Sequence, residues 1–111
     1  MRILSMAAIA CLLAGCGGDA SDQVVEKPDR PNPFTGYERQ IRHAKDWYRM
    51  SHHLRAIVVA HWAHDAGLNK LQSNALAWCL KRMAEAEDAT TKTFADAKSA
   101  CFEKAKSGQA Q

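Results

Sequence analysis

The chain has 111 residues, of which 47 % are hydrophobic and 24 % are charged, and its formal net charge is +3. This length excludes multidomain enzymes and most large folds, and the composition is that of an ordinary globular domain, not of a disordered chain or a protein with several membrane spans. The net charge is too small to indicate nucleic acid as a partner, and we predict none.

The chain begins with one arginine and a run of apolar and small residues, MRILSMAAIACLLA. This pattern is typical of a secretion signal, and it is too short for a membrane-spanning helix, which needs about 20 residues. The run leads into Leu13-Ala14-Gly15-Cys16.

This motif resembles the lipobox of bacterial lipoproteins, at which signal peptidase II cleaves before the cysteine. The resemblance implies that residues 1–15 are a lipoprotein signal peptide and that Cys16 is the lipidated mature N-terminus, so that the membrane is a partner through this anchor. The residue after the cysteine is Gly17. In enteric bacteria an Asp at this position favours retention in the inner membrane, and Gly17 is not an Asp. The resemblance therefore implies the periplasmic side of the outer membrane. A plain secreted protein is the alternative.

Residues 16–36 contain all three prolines and show neither a helical nor an alternating apolar period. We interpret them as the lipidated N-terminus and a flexible, disordered tether, which as a coil would average about 25 Å from end to end. Such a tether would hold the body away from the membrane. At the other end of the chain, residues 108–111 are predicted to form a disordered tail.

Residues 37–107 are predicted to form an all-α domain, a small three-helix body built from one long helix and a helical hairpin. The long helix is predicted over residues 38–66, because its apolar residues fall on one wide stripe at 100° per residue. Gly67 is suited to stop this helix, and Asn69 is suited to cap the next one. The stripe contains Trp47, Met50, Leu54, Ile57, Val58 and His61.

Residues 70–106 also have helical periodicity, and residues 88–91, Asp-Ala-Thr-Thr, mark a break because their side chains favour capping over a helix interior. No glycine or proline enforces this break, so that one continuous helix is the alternative to a hairpin.

The two cysteines that remain after signal cleavage and lipidation bear on this choice. Cys79 and Cys101 are 22 positions apart, and an unbroken helix would separate their Cα atoms by about 33 Å, too far for a disulfide. A hairpin that turns near position 90 would bring them together, and in an oxidising periplasm two such cysteines usually pair. The alternatives are two buried free thiols or a bridge between two chains.

All five histidines lie between positions 43 and 64. His61, His64 and Asp65 have the i, i+3, i+4 spacing from which one transition-metal ion can take two or three ligands on a helix. The alternative is that His61 packs in the core while His64 caps or solvates the helix end. The cluster also has the composition of a pH-responsive face, because imidazoles gain charge as the pH falls through about 6.5.

No catalytic set is present in the sequence, since Ser51 beside two histidines on a helix is no triad, and we predict that the protein is not an enzyme. We expect a lipid-anchored, periplasm-facing interaction module, an accessory or exclusion-type lipoprotein with an envelope protein as partner. Its build resembles that of conjugal entry-exclusion and secretion accessory lipoproteins. The alternative is a metal-binding or pH-responsive lipoprotein. Apart from the covalent lipid, no cofactor is expected. Candidates for its core or contact surface are Trp47, Trp62 and Trp78.

Overall fold

The computed structural model of the chain describes residues 23–107, and this part is an all-α body, as predicted. The predicted signal peptide, Cys16 and the predicted tail at 108–111 lie outside the described residues. Between residues 23 and 107 the extended backbone forms only isolated bridges, and no helix has the length and hydrophobicity that a membrane span requires. In chain order the elements are a first 3₁₀ helix Pro33–Gly36, a second 3₁₀ helix Ala44–Arg49, and the α-helices α1 His52–Asp65, α2 Lys70–Glu85 and α3 Phe94–Ser107.

The long helix predicted over residues 38–66 is wrong in its first half. The Asp46 carboxylate accepts hydrogen bonds from the backbone N–H groups of Arg42 and His43, at 3.1 and 3.0 Å, and so caps a short 3₁₀ turn. The hydrogen bond from His43 is the main cause that lowers the pKa of Asp46. Ser51 then caps the start of α1. These short polar side chains accept hydrogen bonds from nearby backbone N–H groups and so end or begin a helix. They interrupt the segment that apolar periodicity alone predicts to be one continuous helix.

The turn between α1 and α2 follows the prediction. Gly67 has a φ of +71°, the left-handed conformation that ends many helices. Asn69 accepts a hydrogen bond from the backbone N–H of Gln72, and the Gln72 side chain accepts one from the backbone of Asn69, so that the pair forms a capping box. These two local signals fix where α1 ends and α2 begins.

The helical hairpin and its disulfide are confirmed. The chain leaves α2 at Glu85 and enters α3 at Phe94, so the turn includes the predicted break at residues 88–91. Cys79 and Cys101 form a disulfide with their Cα atoms 5.5 Å apart, and both residues are buried. The bridge joins the middle of α2 to the middle of α3.

Aromatic side chains from four segments form the centre of the core. Trp62 of α1 contacts Trp47 of the second 3₁₀ helix, with ring centroids 5.7 Å apart, and Trp47 stacks on Phe94 of α3 at 5.3 Å. Phe34 of the first 3₁₀ helix packs edge-on against Trp62 at 5.1 Å. The Lys98 ammonium lies 4.1 Å from the centroid of the Trp62 ring, in a cation–π contact. Two of the three tryptophans are therefore core residues.

The predicted tether differs from the structure over residues 23–36, which we name the strap. The strap does not project from the body but lies along α1 and the turn that follows it. Val25 donates its backbone N–H to the carbonyl of Leu68 at 2.9 Å, and its own carbonyl accepts a hydrogen bond from Nδ1 of His64 at 3.0 Å. The strap therefore begins at the end of the body where α1 ends and α2 begins.

Further along, the strap is held by the other histidines and by the core. Nε2 of His61 donates to the carbonyl of Arg30 at 2.6 Å, and the Arg30 guanidinium donates to Nε2 of His53 at 3.0 Å. Phe34 then enters the aromatic core. The strap has no apolar period because its contacts are single side chains and backbone carbonyls, which is why the sequence pattern resembles a free linker.

Candidate functional site

The predicted metal ligands His61, His64 and Asp65 do not form a site. His61 is buried and donates to the strap at the Arg30 carbonyl, His64 donates to the Val25 carbonyl, and Asp65 is exposed at the end of α1. Residues 23–107 contain no group of three His, Cys, Asp or Glu side chains that could hold one metal ion. The metal-site prediction is wrong because the helical spacing that suggested ligands serves instead to fasten the strap.

The five histidines are also distributed over different surroundings instead of one face. The strap is contacted by His53, His61 and His64. His52 lines a groove described below, and His43 is the N-cap residue of the second 3₁₀ helix, beside Asp46.

A groove of about 310 Å³ opens between the second 3₁₀ helix, α1 and α2. We name it the Tyr48–Trp78 groove after the aromatic side chains on its two walls. Its apolar lining is contributed by Trp47, Ala56, Val59 and Ala77, and its polar or amphipathic lining by Tyr48, His52, Arg55, Trp78 and Lys81.

The two wall aromatics are unusually exposed. Trp78 has 50 % of its surface exposed and Tyr48 has 39 %, and they account for half of the large hydrophobic residues that are exposed within residues 23–107. Burying the exposed half of a tryptophan in a complex would remove a large apolar area from water, and Trp and Tyr are the residues most often found to dominate the binding energy of protein interfaces. The groove is therefore the surface of this body best suited to contact another molecule.

One basic side chain lies against each of the two wall aromatics. The Arg55 guanidinium carbon lies 4.4 Å from the centroid of the Tyr48 ring, and the Lys81 ammonium lies 4.8 Å from the centroid of the Trp78 ring. Each is a cation–π contact, which helps to hold a long side chain in place, and both cations line the groove. With His52 the rim has three basic residues.

One carboxylate lies next to the groove, and it is already paired. The Tyr48 hydroxyl donates a 2.6 Å hydrogen bond to Oε2 of Glu85, which ties the second 3₁₀ helix to the end of α2. Burial, the hydrogen bond to Glu85 and the charge of Glu85 together raise the pKa of Tyr48 to about 12, against an opposing effect of Arg55. Tyr48 is therefore a fixed, neutral wall at any physiological pH, and the free charges of the rim are positive.

Sequence reasoning singled out Trp78 as a core or contact candidate but not the groove around it. In the structure α2 buries Leu76 and Leu80 and leaves Leu71 and Trp78 exposed. The Trp78–Lys81 pair is the sequence signal that indicates this exposure. A cation three residues from a tryptophan on a helix indicates a face that borders solvent.

Comparison with known proteins gives no match to this chain, whether among protein-family models, curated proteins or solved structures.

Proposed function

We propose that the protein is an accessory or exclusion-type lipoprotein of the bacterial envelope, anchored through lipid on Cys16 and facing the periplasm from the outer membrane. Its helical body is an interaction module, and the Tyr48–Trp78 groove binds an acidic segment of an envelope protein that also carries an apolar side chain. The observation that supports this proposal best is the pair of half-exposed aromatic walls flanked by Arg55 and Lys81.

The size of the groove favours a peptide segment over a broad flat surface. A volume of about 310 Å³ is at the lower end of the range for small-ligand pockets and is enough for one or two bulky side chains. An apolar side chain of the partner would lie between the walls, against Val59 and Ala77. Because α1 and α2 both contribute buried core residues and the disulfide joins α2 to α3, the site is largely formed before binding, which reduces the ordering cost of association.

The charge of the rim favours a partner with carboxylates. Arg55 and Lys81 are held against the walls, and the neighbouring Glu85 accepts a hydrogen bond from Tyr48. A bound carboxylate would therefore meet two cations that form no salt bridge with any carboxylate of residues 23–107. Opposite charges at a rim increase the association rate and select the partner more than they increase affinity. Binding should therefore weaken as salt is raised.

Photo-crosslinking in intact cells tests the groove. A photoreactive amino acid at Trp78 should give one dominant adduct with an envelope protein, mapped to an acidic segment, and the same residue at Ser99, exposed on α3, should not. Lys81→Glu should abolish the adduct, while Arg82→Glu, the same charge change on the neighbouring exposed residue outside the groove, should leave it intact. Identical adducts from both positions, or none from Trp78, would refute the groove as the binding site.

The anchor is tested separately by palmitate labelling. The wild-type protein should incorporate palmitate, Cys16→Ser should abolish the label, and Cys11→Ser, a cysteine that the signal peptide would carry away, should retain it. Labelling that survives Cys16→Ser would exclude the lipoprotein assignment without affecting the groove experiment.

A further inference from the structure

One end of the helical body combines the start of the strap with an exposed apolar surface. Val24 forms a bridge with Asn69 at the start of α2, and the Gln72 side chain donates to the Lys106 carbonyl near the end of α3 at 3.3 Å. The C-terminal end of α1, the N-terminal end of α2 and the C-terminal end of α3 therefore meet where the strap begins. We name this end of the body the strap end.

The strap end carries the remaining half of the exposed large hydrophobics of residues 23–107. Leu71 has 57 % of its surface exposed and Val24 has 53 %, and neither belongs to the Tyr48–Trp78 groove. The segments that meet at this end carry four exposed lysines and three exposed carboxylates: Lys27, Lys70, Lys104 and Lys106, with Glu26, Asp65 and Glu103. Lysine side chains are long enough to reach phosphate groups while apolar neighbours enter the interface below them.

The chain between the proposed lipid and the strap end is short. Seven residue steps separate Cys16 from Gln23, where the described structure begins, and at full extension they span at most about 25 Å. The predicted tether of residues 16–36 would have allowed a much larger distance. Because residues 24–36 lie on the body, an acyl chain on Cys16 would keep the strap end, and not the groove, beside the lipid surface.

We propose that the strap end docks on the surface of a bilayer containing anionic phospholipid, with Leu71 and Val24 entering the interface and the lysines contacting lipid phosphates. This inference rests on the lipid anchor of the proposed function. Membrane attachment by acyl chains is strengthened by a second contact of apolar and basic residues. The short distance from Cys16 to Gln23, where the described structure begins, together with the two exposed apolar side chains, selects the membrane over a protein as the occupant.

The first experiment places a photoreactive amino acid at Leu71 in the acylated protein, reconstituted into vesicles of phosphatidylethanolamine and phosphatidylglycerol. Position 71 should form adducts with phospholipid. Ala86, exposed just beyond the far end of α2 and about 23 Å away along the helix axis, should not. Equal labelling at both positions, or none at Leu71, would overturn the proposal.

The second experiment does not depend on acylation. The chain from residue 16 onward, carrying Cys16→Ser, is floated with vesicles of phosphatidylglycerol. Leu71→Glu should lower the fraction bound at least about tenfold, the effect of losing one buried leucine side chain. Ala86→Glu, with the same added charge, should leave it unchanged. Equal binding of the two variants, or no flotation of the parent chain, would overturn membrane docking, whereas palmitate labelling decides the anchor alone.

Discussion

Replacing both Cys79 and Cys101 with alanine should lower the free energy of unfolding by about 3 kcal/mol. The bridge joins residues 22 positions apart, so it closes a loop of about 23 residues, for which the chain-entropy model gives roughly 3 kcal/mol. Both sulfur atoms are buried, and removing them adds a loss of packing contacts to this amount. A small domain is stable by only about 5–15 kcal/mol, so the loss is a large share of the total.

Urea unfolding followed by circular dichroism measures this loss. In thermal unfolding with the same readout, we expect the melting temperature to fall by roughly 12–24 °C, since 1 kcal/mol corresponds to about 4–8 °C in a domain of this size. The dependence of the unfolding free energy on urea should become steeper, because an unfolded chain without the cross-link exposes more surface.

Reduction of the wild-type protein is the control. Dithiothreitol should lower the stability of the wild-type protein by a similar amount and should not affect the alanine variant, which has no disulfide. A loss below about 1 kcal/mol, or an equal effect of the reductant on both proteins, would show that the loop constraint does not stabilise this hairpin.

Three further predictions concern the strap, the first inter-helix turn and the groove. Phe34→Ala should cost about 2–3 kcal/mol in urea unfolding, because Phe34 packs on the aromatic core although its segment resembles a linker. Gly67→Ala should cost about 1–2 kcal/mol from backbone conformation alone, since a Cβ there meets no atom within 4 Å and φ is +71°, while Gly36→Ala, equally open but without a positive φ, should cost almost nothing. Glu85→Gln should lower the pKa of Tyr48 from about 12 in an ultraviolet absorbance titration, because it removes the negative charge of Glu85 and leaves only a neutral, weaker acceptor for the Tyr48 hydroxyl.

The raised pKa of Tyr48 also determines how stability changes in alkali. A tyrosine in the unfolded chain ionises near pH 10, whereas Tyr48 in the folded protein keeps its proton to about pH 12. The contribution is therefore complete below pH 10 and is lost as the pH rises from 10 to 12. Glu85→Gln should make this loss smaller, and an unchanged alkaline profile would contradict the assigned effect of the Glu85 charge on Tyr48.

The accuracy of the sequence predictions depends on how local the determining contacts are. The three-helix body was predictable because Gly67 and Asn69 mark the turn between α1 and α2, and the two cysteines favour the turn between α2 and α3. These signals act within a few residues or through a covalent bond. The prediction of one long helix was wrong for a related reason: Asp46 and Ser51 are equally local stop signals, but a wide apolar stripe runs across them and has the period of a continuous helix.

The strap and the groove could not be predicted in the same way. The strap is held by hydrogen bonds between residues 31 and 39 positions apart, from His61 and His64 to two backbone carbonyls, and backbone carbonyls carry no sequence pattern. The groove exists because α2 rotates Leu76 and Leu80 into the core and leaves Trp78 outside. Which side of a moderately apolar helix faces inward depends on the shapes of its neighbours, and periodicity does not encode those shapes.

The arrangement of α1 allows the strap and the groove to act independently. At 100° per residue, His53, His61 and His64 fall within an arc of about 80°, and Arg55 and Val59 lie about 160° from the middle of that arc. The strap and the groove therefore occupy opposite sides of the same helix. Arg55 also lies about 15 Å along the axis from the end of α1 at the strap end. A body docked by its strap end would thus present the groove away from the lipid surface, where a periplasmic segment of a partner can reach it.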